Sequence, residues 1–152
     1  QVIACEKFID GINKIAEKSF SQSLNNISIF HGNVHQLLDE YCPNNSISEL
    51  WILFPDPWPK KRHFKRRLIN VDFFYKLRAF LKKNAKIHIA SDSKSYVSDI
   101  LLCIHQVKKD FQWINQNKNE WDYLNMSLPQ TKYFQKALKK GLNPIYLKLT
   151  KY

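Results

Sequence analysis

Apolar residues recur along this chain in two periods, and the periods take turns. "QVIAC" at the start reads as a strand, after which Phe8, Ile12, Ile15 and Ala16 fall at the spacing that lines one face of a helix. "NISIF" (Asn26 to Phe30) predicts a second strand and "VHQLLDEY" a short helix. "LWILF" (Leu50 to Phe54) is an unbroken apolar run ended by Pro55, the pattern of a central parallel strand buried on both faces. Further on, "VDFFYKLRAFLKK" carries Phe73, Phe74, Leu77, Phe80 and Leu81 as a helical stripe, with cations towards its C-terminal end. "AKIHIASD" then alternates as a strand, Ser93 to Val107 reads as a helix, and "FQWIN" and "NPIYLKLTKY" read as two closing strands. Strand and helix periods in alternation predict a three-layer α/β fold with a mostly parallel sheet, as a single domain over residues 1–152.

Ligands of open parallel sheets bind beyond the carboxyl ends of the strands. Glu6, Asp56 and Asp92 each follow a predicted strand and are expected at one crevice. Such positions also host caps and turn carboxylates. The three glycines, Gly11, Gly32 and Gly141, form no G-x-G-x-x-G phosphate cradle.

Charge narrows the partner class. The 152 residues hold 24 Lys and Arg against 13 Asp and Glu, a formal net charge of +11 that suits a polyanion, either nucleic acid or an anionic membrane surface. No apolar run approaches the roughly 20 residues that span a bilayer, and no signal peptide is evident, so a membrane protein is not expected. Cys5, Cys42 and Cys103 are far apart, which suggests neither a disulfide framework nor a zinc knuckle and fits the reducing cytoplasm. The chain opens on Gln1 directly into an apolar run, as though inside a structured element, so an upstream segment is expected. His31 and His35 are four apart but lack a third ligand, and no metal is expected.

The most unusual segment is "FPDPWPKKRHFKRR", Phe54 to Arg67. Prolines 55, 57 and 59 fix φ and remove backbone donors, so the chain must leave the sheet in a stiff turn that positions Asp56. Lys60, Lys61, Arg62, Lys65, Arg66 and Arg67 supply charge for phosphate, His63 lies among them, and Trp58 offers a stacking face. A solvated basic loop would share this composition.

This segment resembles the signature F-P-D-P-W-x-K-x-R-H-x-K-R-R of the TrmB-like tRNA (guanine-N7-)-methyltransferases, matching every fixed position. "CEKFIDGI", "IHIASDSKSY", "TKYFQKALKKG" and "NPIYLKL" resemble further family segments, so the likeness covers nearly the whole chain. It implies an α/β, Rossmann-like class I fold that uses S-adenosyl-L-methionine to methylate N7 of a variable-loop guanine in tRNA. The family's first strand and Gly-rich loop are not found in these residues, so an N-terminally truncated member is expected. By resemblance, Asp56 is the catalytic residue; Glu6, Asn33 and Asp56 bind the cofactor; Lys60, Asp92, Thr131, Lys132, Tyr133 and Phe134 bind the substrate. Lys61, Arg62, His63, Lys65, Arg66 and Arg67 would hold the RNA backbone, giving a salt-dependent affinity.

Several positions depart from the family pattern. Asn33 stands for an Asp that reads the adenine, Phe134 for the Glu of T-x-Y-E, Ser91 for Thr, and Asn84 with Ala85 for a Gly-containing turn. Alternatives are therefore open: a catalytically inactive RNA-binding remnant or decayed fragment of that family, or a basic module completed by another chain. Trp113, Trp121, Tyr123 and Tyr133 could stack on bases or pack internally, and Thr131 could be a helix cap. The oligomeric state stays open, a monomer being one option.

Overall fold

The computed structural model describes residues 1–122 and 130–152, which form two compact units, Gln1–Pro43 and Asn44–Tyr152. In the first, β1 (Val2–Glu6) and β2 (Ile27–His31) pair in parallel, Glu6 opposite His31, and α1 (Ile9–Ser21) is the crossover between them. β-Branched Val2, Ile3, Ile27 and Ile29 favour the pleated backbone. α2 (Val34–Tyr41) begins where the Asn33 side chain accepts from Gln36 N at 2.9 Å, and it buries Leu37 and Leu38.

The second unit is a four-stranded sheet in the order β3-β4-β6-β5: β3 (Ile47–Leu53), β4 (Leu81–Ser91), β6 (Ile145–Lys151) and β5 (Phe111–Trp113). α3 (Val71–Phe80) joins β3 to β4, α4 (Lys94–Gln106) leads to β5, and α5 (Lys132–Lys139) precedes β6. Two-residue alternation along β4 divides the core. Ile87 and Ile89 are buried with Phe73, Phe74 and Leu77 of α3, Tyr96 and Ile100 of α4, and Leu147 and Leu149 of β6. Ala90 faces the other way, where Phe134 of α5 and Tyr146 of β6 pack on it.

Three expectations change. The sheet is mixed, since only β3 and β4 are parallel and β6 runs antiparallel to both β4 and β5. "LWILF" belongs to an edge strand, not a central one: Ile52 is its buried residue, while Trp51 is 43% exposed and Leu53 also faces solvent. Alternation on a one-sided edge, with Glu49 in the same strand, replaces burial on both faces. Lys82 and Lys83 open β4 instead of closing α3. Between the pairs Ile47–Leu81 and Glu49–Lys86 the register breaks, and Asn84 takes φ 61° within that bulge. Asparagine tolerates this left-handed conformation better than most residues.

Phe74 packs its ring 5.3 Å from that of Phe111 at 57°, fully inside the helix layer. Phe74→Ala should lower stability by about 3–5 kcal/mol in urea denaturation, whereas Phe20→Ala, at a solvent-facing position of α1, should change it by less than about 0.5 kcal/mol.

Candidate active site and basic surface

In the first unit, Glu6 ends β1, and its Oε1 accepts from Lys7 N (2.7 Å) and Phe8 N (2.9 Å). These bonds fix the carboxylate and leave Oε2 with no hydrogen bond to a described residue. The helix must come close to it: a Cβ on Gly11 would lie 2.7 Å from Glu6 Cγ and 2.8 Å from Oε2. Gly11 therefore makes room for the carboxylate, a signal already present in "CEKFIDGI". Gly32 N donates to Glu6 O at 3.0 Å, so the carboxyl ends of β1 and β2 are tied and Asn33 stands one residue beyond that tie. With Oδ1 used as the cap, the exposed Asn33 side chain offers Nδ2 donors, where an Asp would offer a second acceptor. Glu6 and Asn33 thus share one end of this parallel pair.

In the second unit, Phe54 N donates to Ala90 O at 2.8 Å, and there the chain leaves the sheet. Phe54 has φ 53° and Trp58 φ 42°, two bulky residues in the left-handed region, each preceding a proline. Such strain persists only where surroundings enforce it, and it gathers at functional sites. Between them Asp56 is exposed and bonds to no described residue. Asp92 follows β4 directly, before Ser93, whose Oγ caps α4 at Tyr96 N (3.4 Å). Lys60 caps the 3₁₀ turn Lys61–Arg66 through its carbonyl, which accepts from His63 N at 2.7 Å, leaving the ammonium in solvent.

The basic block divides into an outer and an inner part. Lys61, Arg62, Lys65 and Arg66 are exposed, His63 is half-buried with its ring edge-on to Trp58, and Arg66 lies 4.9 Å above the Trp58 ring. Arg67 was expected with them and is not a surface cation: it is 3% exposed. Its Nε donates to Pro57 O (2.7 Å), Nη2 to Ser95 Oγ (3.2 Å) and Nη1 to the Asp99 carboxylate, with the guanidinium 3.7 Å from the Phe64 ring centroid and 4.9 Å from that of Tyr96. A planar fork with five donors suits such a burial. Burial pushes the Tyr96 hydroxyl up to about 12, and it accepts from Ile69 N at 2.8 Å. Asp99 was not foreseen from the sequence; its spacing of four from Ser95 on α4 was the available signal.

α5 carries the remaining expected residues. Thr131 is its cap, Oγ1 accepting from Phe134 N at 3.1 Å. Lys132 and Tyr133 are exposed, and the Tyr133 ring lies 6.2 Å from Phe54 at 20°. Phe134 was expected to touch substrate but is fully buried against Ala90 and Tyr146 with Phe54 alongside, so it is core. Trp113 and Trp121 also pack internally, rings 5.3 Å apart, their Nε1 groups donating to Asn115 Oδ1 and Asn115 O. Tyr123 lies outside the described residues. All three cysteines are free thiols.

On the α5 side of the sheet, His88 is buried, stacked at 3.9 Å under Trp51. Its Nδ1 bonds Tyr146 Oη, and Nε2 lies 2.9 Å from Glu49 Oε1 without hydrogen-bond alignment. Burial lowers its pKa from the ordinary 6.5; Glu49 opposes that shift, and Lys148 and Lys86 reinforce it.

The model of a family described as "Putative methyltransferase" matches residues 1–147. A tRNA (guanine-N(7)-)-methyltransferase of Chelativorans sp. (strain BNC1) is 32% identical over 145 residues, 95% of this chain and 62% of that protein. The chain spans 62–64% of the first three curated relatives it matches. Among solved structures, an rRNA methylase from Streptococcus thermophilus superposes with a TM-score of 0.62 at 14% identity, over 99% of this chain and 73% of that one. A SAM-dependent methyltransferase from Aquifex aeolicus gives 0.57 at 11% identity, over 99% and 68%. The fold is thus of the Rossmann-like methyltransferase class.

Two tests follow from this geometry. Arg67→Ala should destabilise the protein by roughly 2 kcal/mol, less than the ~3–5 of a fully buried pair because Asp99 is partly solvated, while Arg66→Ala should leave the urea midpoint nearly unchanged. For His88 the unfolded chain binds the proton more readily than the folded one. Its contribution is therefore complete above about pH 6.5 and is lost as pH falls from there through the depressed folded value. Urea midpoints between pH 7 and 5 should fall in the native protein and fall less steeply in His88→Asn.

Proposed function

The chain belongs to the TrmB-like methyltransferase family, and we propose that it carries the acceptor side and part of the cofactor side of a tRNA (guanine-N7)-methyltransferase. Both units would serve one methyltransferase domain over residues 1–152, in the cytoplasm, where tRNA is at hand and free thiols persist. No helix among the described residues is long and apolar enough to cross a membrane.

The cofactor would be S-adenosyl-L-methionine. Glu6 fits it: two backbone N–H groups fix Oε1, Oε2 has no partner among the described residues, and Gly11 leaves the carboxylate the room to stand there for a ribose diol. Asn33 would meet the adenine as a donor towards ring nitrogen, in place of an acceptor for the exocyclic amine. When bound, the cofactor supplies an electrophilic methyl group on a sulfonium.

Guanine N7 carries a free lone pair, so no base need remove a proton before transfer. What the protein must supply is alignment and compensation for the positive charge gained by the ring. Asp56 meets the second demand: its carboxylate is exposed on a turn that prolines and two left-handed residues hold still. Lys60, Asp92, Thr131, Lys132 and Tyr133 would hold the substrate around it. Lys61, Arg62, His63, Lys65 and Arg66 would take the RNA backbone, and Arg67 would hold the turn from within. The observation that carries this reading is the strained turn with Asp56 exposed at its tip and bonded to no described residue.

Purified protein with labelled S-adenosyl-L-methionine and unmodified tRNA should produce N7-methylguanine. Asp56→Asn should reduce turnover about 100-fold with tRNA affinity unchanged. Retained tRNA binding without any methyl transfer by the native chain would favour the inactive RNA-binding alternative.

A further inference from the structure

α5 has a charged face that the motif does not account for. At 100° per residue, buried Phe134 and Ala137 lie on one side of the helix, and Lys132, Lys136 and Lys139, with Lys140 at the C-cap, lie on the other. The helix contains no acidic residue. Lys132, Lys139 and Lys140 pair with no carboxylate among the described residues, and Lys136 rests 5.8 Å from the Tyr133 ring. Like charges at i and i+4 repel, and Lys132 sits in the first turn, where the helix dipole favours an anion. Lys136, Lys139 and Lys140 stand at the C-terminal end, where the dipole favours cations; Lys132 does not, and its i+4 neighbour Lys136 repels it. A helix of eight residues that tolerates this arrangement gains most when a polyanion lies along it.

Position supplies the second observation. Tyr133, 57% exposed, stacks beside Phe54, which opens the FPDPW turn, so the lysine face adjoins the turn that presents Asp56. We infer that the outward face of α5, Lys132, Lys136, Lys139 and Lys140, is a second RNA-backbone surface, separate from the 3₁₀ block and continuous with the motif through Tyr133. This rests on the tRNA reading above. Ammonium groups contact phosphate as point charges, so the surface adds affinity and orientation without sequence choice, and Tyr133 offers a face for an unpaired base.

The test is fluorescence anisotropy with unmodified tRNA over a salt series. Lys136→Ala, Lys139→Ala and Lys140→Ala combined should weaken binding roughly 10- to 100-fold and reduce the salt slope by about 2. A control losing the same charge far from the turn, Lys82→Ala, Lys83→Ala and Lys109→Ala, should lose less than about threefold. The triple Lys→Arg variant at the α5 positions should bind as the native protein does, which separates lost contacts from a lost fold. Equal losses in both alanine variants, or none in the α5 variant, overturn the inference. Poly-glutamate binding as tight as tRNA would also overturn it, as a surface for acidic chains. Failure of the native protein to bind tRNA at all would instead defeat the functional reading itself, and this surface with it.

Discussion

A single buried cation organises the second unit. Arg67 reaches from the end of the 3₁₀ turn to the carbonyl of Pro57 and, through Ser95 and Asp99, to α4. A desolvated guanidinium is stable only with its donors met, and here a carbonyl, a hydroxyl, a carboxylate and two aromatic faces meet them. Pro57 lies next to Asp56, so the same bonds that satisfy Arg67 hold the carboxylate-bearing turn against a helix of the core. The left-handed Phe54 and Trp58 are sustained by that anchor at one end and by the bond from Phe54 to Ala90 at the other.

This arrangement explains why the basic run is not uniform. Charge alone makes six neighbouring cations look equivalent, yet one is committed to structure and the rest face outward. The block can therefore tolerate losses among Lys61, Arg62, Lys65 and Arg66 as graded changes in electrostatics, whereas loss of Arg67 is a loss of geometry.

Much of the fold could be read from period and punctuation. α2 and the strands β1, β2, β5 and β6 lie where the apolar spacing puts them, because each buries a face locally determined by its own residues. Strand direction was not legible: "NPIYLKL" has the same alternation whether it runs parallel or antiparallel to β4. Nor was the exposure of "LWILF", since an apolar run does not state whether a neighbour covers its second face. Among the candidate site residues, Glu6, Asp56 and Asp92 stand at or just beyond strand ends, as strand-end punctuation indicates, whereas Asn33 was legible only through the resemblance. Arg67 and Phe134 escaped, because their partners, Asp99 and Ala90, are distant in sequence and burial is decided by those partners.

Phe134 has one further consequence. Its ring fills the space between α5 and the sheet, a burial contributing roughly 1.5–3 kcal/mol, and Phe54 and Tyr146 have settled around it. A Glu at this position would put a carboxylate among apolar rings and leave its charge unpaired. The position is thus closed to an acidic side chain unless the rings of Phe54 and Tyr146 move away from it.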